Sequence, residues 1–239
     1  MDIATASTRS VSELALEVPG AAAAFDRLGI DFCCGGRRSL ADACEAKGLE
    51  LEPVLAALAA LEGTAPAEPQ WRAVPLGELT QHIARRHHQY VRAETPRLTA
   101  WLDKVVAAHG ERHPDLATLR AVFLRMSGDL AQHMAKEEMI LFPAIARAAA
   151  GDGAADAPTA AVLAQPVRRM MAEHDIAGRD LAEMRQLTGG YQPPSNACTT
   201  WRVLYQGLAE FEADMHQHVH LENNVLFPRA LALGAEARA

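Results

Sequence analysis

His133-Met-Ala-Lys-Glu137-Glu-Met-Ile-Leu141-Phe142-Pro143 aligns without a gap to His218-Val-His-Leu-Glu222-Asn-Asn-Val-Leu226-Phe227-Pro228, with identity at the histidine, the glutamate and the closing Leu-Phe-Pro. Each copy also has a histidine upstream at nearly equal distance: His88 lies 45 residues before His133, and His174 lies 44 before His218. The chain therefore reads as two copies of one helix pair. Residues four apart share a helix face, so each His-x-x-x-Glu turns a nitrogen and an oxygen the same way.

A lone pair of that spacing is usually solvated surface, and register decides against that here. Before the first pair, Leu119, Phe123, Met126 and Leu130 alternate by four and three, and the same count lands on His133, Glu137 and Ile140. Leu204, Leu208, Phe211 and Met215 lead in the same way to His218, Glu222 and Val225. His174 falls inside Leu163, Val167, Met170, Ala177, Leu181 and Met184. In the first helix Ala84, His88, Val91, Thr95, Leu98, Leu102 and Val105 form the favoured stripe, with Leu76, Leu79, Ile83 and His87 competing.

Burying two carboxylates and four imidazoles against Leu and Phe is costly unless positive charge compensates. Two metal ions supply it, with carboxylates at equivalent points of the two copies bridging ions ~3.5–4 Å apart and two histidines on each. Nitrogen and oxygen donors without thiolate suit iron, manganese or zinc, and carboxylate-bridged pairs in helix bundles point to iron or manganese. The expected cofactor is a pair of non-haem iron ions with an oxo or hydroxo bridge, leaving about one open position per octahedral ion.

Outward from this core, four helical stretches are expected at about 76–109, 115–149, 160–188 and 200–232, separated by Gly- and Pro-containing loops. Short connections make neighbours antiparallel. Residues 64–75 carry prolines without apolar periodicity and mark a linker. It divides a small helical domain, 1–63, from the bundle, 76–239. In the small domain a short helix ends at Pro19, and a second spans Ala21 to Leu28 with Gly29 as its cap. Ser39 with Asp42 opens a helix from Leu40 to Lys47, and Pro53 opens one running to about Glu62.

Composition agrees with an all-α fold: 49% of the 239 residues are hydrophobic but only 5% are aromatic. A net charge of -7 offers no broad basic surface, so no nucleic-acid partner is expected. The polar Met1 to Ser10 lacks the apolar core of a signal peptide, and no run is long enough to span a membrane. Four cysteines, two of them adjacent, make a poor disulfide framework; reduced thiols and a cytoplasmic address are expected.

These residues resemble a known group. The bundle is similar to hemerythrin-like domains in its His-x-x-x-Glu repeats with Leu-Phe-Pro, in Glu173-His174-Asp175 and in Cys198-Thr199-Thr200-Trp201. The Asp31-Phe32-Cys33-Cys34-Gly35-Gly36 loop ahead of it resembles that of the iron-sulfur cluster repair di-iron proteins. The resemblance implies iron ligation by His88, His133, Glu137, His174, His218 and Glu222, the set that register also selects. It also implies repair of iron-sulfur clusters damaged by nitric oxide or peroxide, through supply of iron, with damaged iron-sulfur proteins as partners. Oxygen-carrying hemerythrins have a further histidine one turn after the third-helix ligand; Gly178 stands there, which argues against oxygen carriage.

A metal-delivery and repair role is thus expected rather than enzymatic turnover. The alternative is binding, scavenging or reduction of nitric oxide to nitrous oxide, with nitric oxide or oxygen as the small ligand. Cys33 and Cys34, beside Arg37 and Arg38, are candidates for redox chemistry or iron transfer. Glu173, next to a ligand histidine, is a candidate proton acceptor, against a bland reading as a solvated glutamate. His216 and His220 lie out of phase with the buried stripe and are expected to face water or the bundle flank. Cys44 and Cys198 read as structural, Pro143 and Pro228 as helix bends, and a homodimer through the small domain is implied only by resemblance.

Overall fold

The structure, a computed structural model, describes residues 3–61, 71–150 and 160–233; residues 64–70 of the expected linker lie outside these. The small domain packs five short helices: α1 (Ile3–Thr8), α2 (Val11–Glu17), α3 (Ala21–Leu28), α4 (Leu40–Lys47) and α5 (Leu51–Leu61). α1 has no counterpart among the expected elements. α2 starts on a full capping box, Ser10 accepting from the Glu13 amide and Glu13 from the Ser10 amide. At α4 the Ser39 hydroxyl accepts from the Asp42 amide. Gly29 and Gly48 close α3 and α4 in the left-handed conformation, φ 66° and 65°. α5 begins two residues ahead of Pro53, whose missing N–H is not needed in a first turn. Val11, Leu14, Phe25, Phe32, Leu40, Leu55 and Leu58 form this domain's core.

Four long helices make the bundle: α6 (76–109), α7 (115–150), α8 (160–187) and α9 (199–232). α6 packs beside α7 and α9, and α7 beside α8. Three of the four contain one wide π-turn, at Ala84–His88, Glu137–Leu141 and Glu222–Leu226. In each the backbone bonds five residues back, as from the Phe142 N–H to the Glu137 carbonyl, which inserts one residue relative to an α-turn.

That insertion corrects the register expected from sequence. Ile140, placed on the buried stripe, is 64% exposed, and Leu141 turns inward instead at 3%. In α6 the two competing stripes are both used: Leu76, Leu79 and Ile83 point inward before the π-turn, Val91, Leu98, Leu102 and Val105 after it. His87 and His88, at the junction, are both buried.

The bundle core accordingly falls into two apolar layers. One contains Leu98, Leu102, Leu119, Phe123, Met126, Leu181, Leu204, Leu208 and Phe211. The other contains Leu79, Ile83, Phe142, Ile145, Leu163, Val167, Val225 and Phe227. The polar residues of the duplicated motif lie between them. Among the described residues no strand forms, the one β-bridge joins Ser10 to Ser39, and no helix is long and apolar enough to cross a membrane.

Candidate metal centre

His88, His133, Glu137, His174, His218 and Glu222 converge in the layer between the two apolar cores, each no more than 3% exposed. They form two clusters of four: His88, His218, Glu137 and Glu222, and His133, His174, Glu137 and Glu222. Both carboxylates divide their oxygens between the clusters. Glu137 Oε1 lies 3.3 Å from His133 Nε2, and its Oε2 3.5 Å from His88 Nε2. Glu222 Oε1 is 3.1 Å from His218 Nε2, and its Oε2 3.0 Å from His174 Nε2.

Whether a metal fits can be judged from the donors. The Nε2 atoms of His88 and His218 face each other at 3.1 Å, those of His133 and His174 at 3.0 Å. Donors with bonds of about 2.1 Å to one ion, set about 90° apart, are separated by about 3.0 Å. Both oxygens of Glu137 and Oε2 of Glu222 are buried without a hydrogen-bond partner. Opposed ring nitrogens and orphaned carboxylate oxygens are unfavourable in an apolar core unless a cation lies among them. The residues fit metal binding, and in each cluster two histidines and one oxygen from each glutamate could hold an ion.

Supporting side chains turn the imidazoles toward that point. His88 Nδ1 donates to Glu138 Oε1 at 2.7 Å, His133 Nδ1 to Glu173 Oε2 at 2.8 Å and His174 Nδ1 to Asn223 Oδ1 at 2.9 Å. An acceptor on Nδ1 fixes the proton there and leaves the Nε2 lone pair facing the cluster. Glu138 and Asn223 are equivalent positions of the duplication, each supporting the upstream histidine of its own copy. Symmetry ends at the residue before that histidine: Glu173 in one copy, His87 in the other. His87 bonds Asp214 and stacks on His218 at 5.5 Å, and His218 Nδ1 has no partner.

The electrostatics reflect this crowding. Burial pushes the Glu222 carboxyl up, but His218 and His174 outweigh it and hold it well below the carboxylate range; Glu137 is lowered less, with His133 and His88 opposing both burial and the Glu222 charge. Burial pushes His133 down, and Glu137 overcomes it, to about 9. Glu173, weighed as a proton acceptor against a solvated glutamate, binds His133, Lys136 and Arg169, which overcome partial burial and lower it to about 2. A cavity of about 250 Å³ lined by Asp129, Lys136, Glu173 and Ile176 reaches His133 and His174.

The Asp31-Phe-Cys-Cys-Gly-Gly loop lies against α8 and α9. Its turn is built on Asp31, whose carboxylate accepts from the amides of Cys33, Cys34 and Gly35 at 3.0, 2.9 and 2.8 Å. Gly36 is required by contact: a Cβ there would stand 2.3 Å from the Phe32 carbonyl oxygen. Asn223 joins loop and centre, accepting from His174 and donating to the Cys33 carbonyl at 3.4 Å. Cys34 packs over Gly178, its Sγ 3.8 Å from where a Cβ would stand, so a side chain much larger than alanine would meet it. Although Arg37 and Arg38 follow in sequence, contact with the Cys34 thiol and then burial push Cys33 well above its usual value.

His216 and His220 lie on the bundle flank, His216 partly exposed and His220 buried. His220 is 4% exposed and bonds the Phe32 carbonyl, His216 bonds Asp26, and both rings meet the edge of Phe32. The small domain covers that flank, which helix periodicity alone could not reveal. Cys44 is buried, but Cys198 is exposed at the start of α9, with its Sγ 3.3 Å from His109. Glu138 and Asn223 were missed from sequence, although their shared place after each glutamate was a signal.

Residues 79–230 match the model of the hemerythrin HHE cation binding domain, and residues 7–62 that of a domain of unknown function, DUF542. The chain is 41% identical over 223 residues to the iron-sulfur cluster repair protein YtfE of Musicola paradisiaca, covering 93% of this chain and 96% of that one. The proteins of the same name from Pectobacterium carotovorum and Yersinia pestis are 39% and 38% identical over the same shares.

Proposed function

The chain belongs to the hemerythrin HHE cation-binding family, in a two-domain form shared with iron-sulfur cluster repair proteins, and from that premise we propose that it repairs clusters damaged by nitrosative or oxidative stress. Its cofactor is a pair of non-haem irons held by His88, His133, Glu137, His174, His218 and Glu222. The observation that carries this reading is the division of both carboxylates between two histidine pairs.

Iron bound there supplies Lewis acidity, redox capacity and the metal itself to a depleted cluster. The chain's own residues orient the donors: Glu138, Glu173 and Asn223 hold three imidazoles, and the two apolar layers wall them above and below. Asn223 places Cys33 and Cys34 one side chain away from His174, which supports a part for the thiols in redox chemistry or iron transfer. The partners are damaged iron-sulfur proteins, met in the cytoplasm, where free thiols persist.

The test is anaerobic purification with iron counted per chain, followed by incubation with a nitrosylated iron-sulfur enzyme. About two irons per chain and recovery of the client's cluster are expected; full iron loading without any recovery would sink the repair reading. The cavity reaching His133 and His174 supports a second reading, reduction of nitric oxide. Two nitric oxide molecules, two electrons and two protons would give nitrous oxide and water. Sustained nitrous oxide production with a reductant, without iron loss, would favour that reading over iron supply.

A further inference from the structure

Another donor cluster lies outside the metal layer, where α3 of the small domain meets α9. Asp26, Glu212 and His216 each offer one donor atom, all within 4.8 Å of one another. Glu212 and His216 stand four apart on α9, the one-turn spacing of His133 with Glu137 and His218 with Glu222 in reverse order. His216 Nδ1 is 2.7 Å from Asp26 Oδ1, and its Nε2 is 3.8 Å from Glu212 Oε1.

Glu212 is 2% exposed, and its Oε2 has no hydrogen-bond partner. The neighbouring Tyr191 hydroxyl, pushed up by burial and the Glu212 charge against the opposing pull of Arg185, makes no hydrogen bond of normal geometry either. With Asp26 and His216, Glu212 borders a cavity of about 480 Å³ that also contains Cys33 and Cys34. One cation serves the cluster: Arg185 Nε is 2.8 Å from Glu212 Oε1, and its Nη2 3.8 Å from Asp26 Oδ1. Within 4 Å the two carboxylates share that one guanidinium, and Glu212 keeps one buried oxygen without a hydrogen-bond partner, an arrangement that a further cation would favour.

We propose that Asp26, Glu212 and His216 form a site for an additional divalent transition-metal ion, separate from the paired centre, that ties the small domain to the bundle. One imidazole and two carboxylates suit Fe²⁺, Mn²⁺, Co²⁺ or Zn²⁺. Three protein ligands leave positions for water, as in open rather than closed structural sites, so the ion exchanges readily. Asp26 comes from one domain and the other two ligands from the other, so binding stabilises their docked arrangement with the logarithm of free metal above the Kd.

The iron-loaded protein would be dialysed to equilibrium against Co²⁺, with cobalt and iron both counted per chain. The unaltered protein should take up one cobalt beyond its iron, and Asp26→Asn and His216→Ala should each raise the Kd at least about tenfold with iron content unchanged. Asp26→Asn guards against a merely misfolded bundle, because Asp26 lies in the other domain. Arg185→Gln should tighten binding by removing the competing cation. No additional cobalt in the unaltered protein would overturn the proposal, as would uptake indifferent to both ligand substitutions.

Discussion

Glu222→Gln probes the sharing of carboxylates between the two clusters. Glu222 is fully buried, with Oε1 3.1 Å from His218 Nε2 and Oε2 3.0 Å from His174 Nε2, so one side chain serves a histidine of each cluster. Glutamine keeps the shape but removes the charge and turns one oxygen into a donor. Removing one member of a buried set of charges costs about 3–5 kcal/mol. At about 1.4 kcal/mol per decade, each ion should be held about two to three and a half decades more weakly. Asn223→Ala, by contrast, takes a hydrogen bond from His174 alone and should weaken one ion about 10–100-fold. The assay is anaerobic release of iron to a ferrous chelator, with iron counted before and after. Glu222→Gln should accelerate loss of both ions together, and Asn223→Ala should give two phases, one at the unaltered rate. If Glu222→Gln keeps its iron at the unaltered rate, or releases one ion while the other is unaffected, the bridging geometry is wrong.

Glu138→Gln and Glu173→Gln each remove the charge behind one histidine, in different clusters; each should make iron release biphasic, by about 10–100-fold in the fast phase. The double variant Cys33→Ser, Cys34→Ser should keep its iron and its helical circular dichroism but lose repair of a nitrosylated client; intact repair would remove the thiols from the mechanism. Gly36→Ala should lower the unfolding free energy by about 1–3 kcal/mol in thermal or urea melts, because its Cβ would meet the Phe32 carbonyl at 2.3 Å. Gly178→Leu should push the Cys34 loop off α8, seen as faster alkylation of Cys34 with iron content unchanged, and an unaltered alkylation rate would speak against that packing.

The ligand spacing was legible because it is local: four residues along a helix fix a direction whatever lies elsewhere. The apolar stripes were legible for the same reason, up to the point where each helix changes its turn. Beyond Glu137 a count in threes and fours chose Ile140, because nothing in periodicity announces a five-residue turn. In α6 the sequence did hold a sign of one, since Leu76-Leu79-Ile83 and Val91-Leu98-Leu102 are stripes out of phase with each other, and treating them as rivals hid that both are buried. His216 and His220 were expected at water or the bundle flank, and what makes it the flank was not legible. They face inward against another domain through Asp26 and Phe32, nearly two hundred residues away in sequence, and polar residues buried at a domain contact leave no apolar pattern to follow.

Each π-turn makes its helix one residue longer than packing alone requires. Deleting the exposed Ile140 would leave Leu141 and Phe142 three and four places after Glu137, the ordinary α-helical spacing, with both apolar layers still facing inward. At this turn the two apolar layers therefore do not depend on the inserted residue. Single-residue insertions could then accumulate at one level of an already stable scaffold, each adjusting the metal layer while the hydrophobic layers above and below kept their partners. Selection on the chemistry and selection on folding would thus act on separate levels of the same four helices.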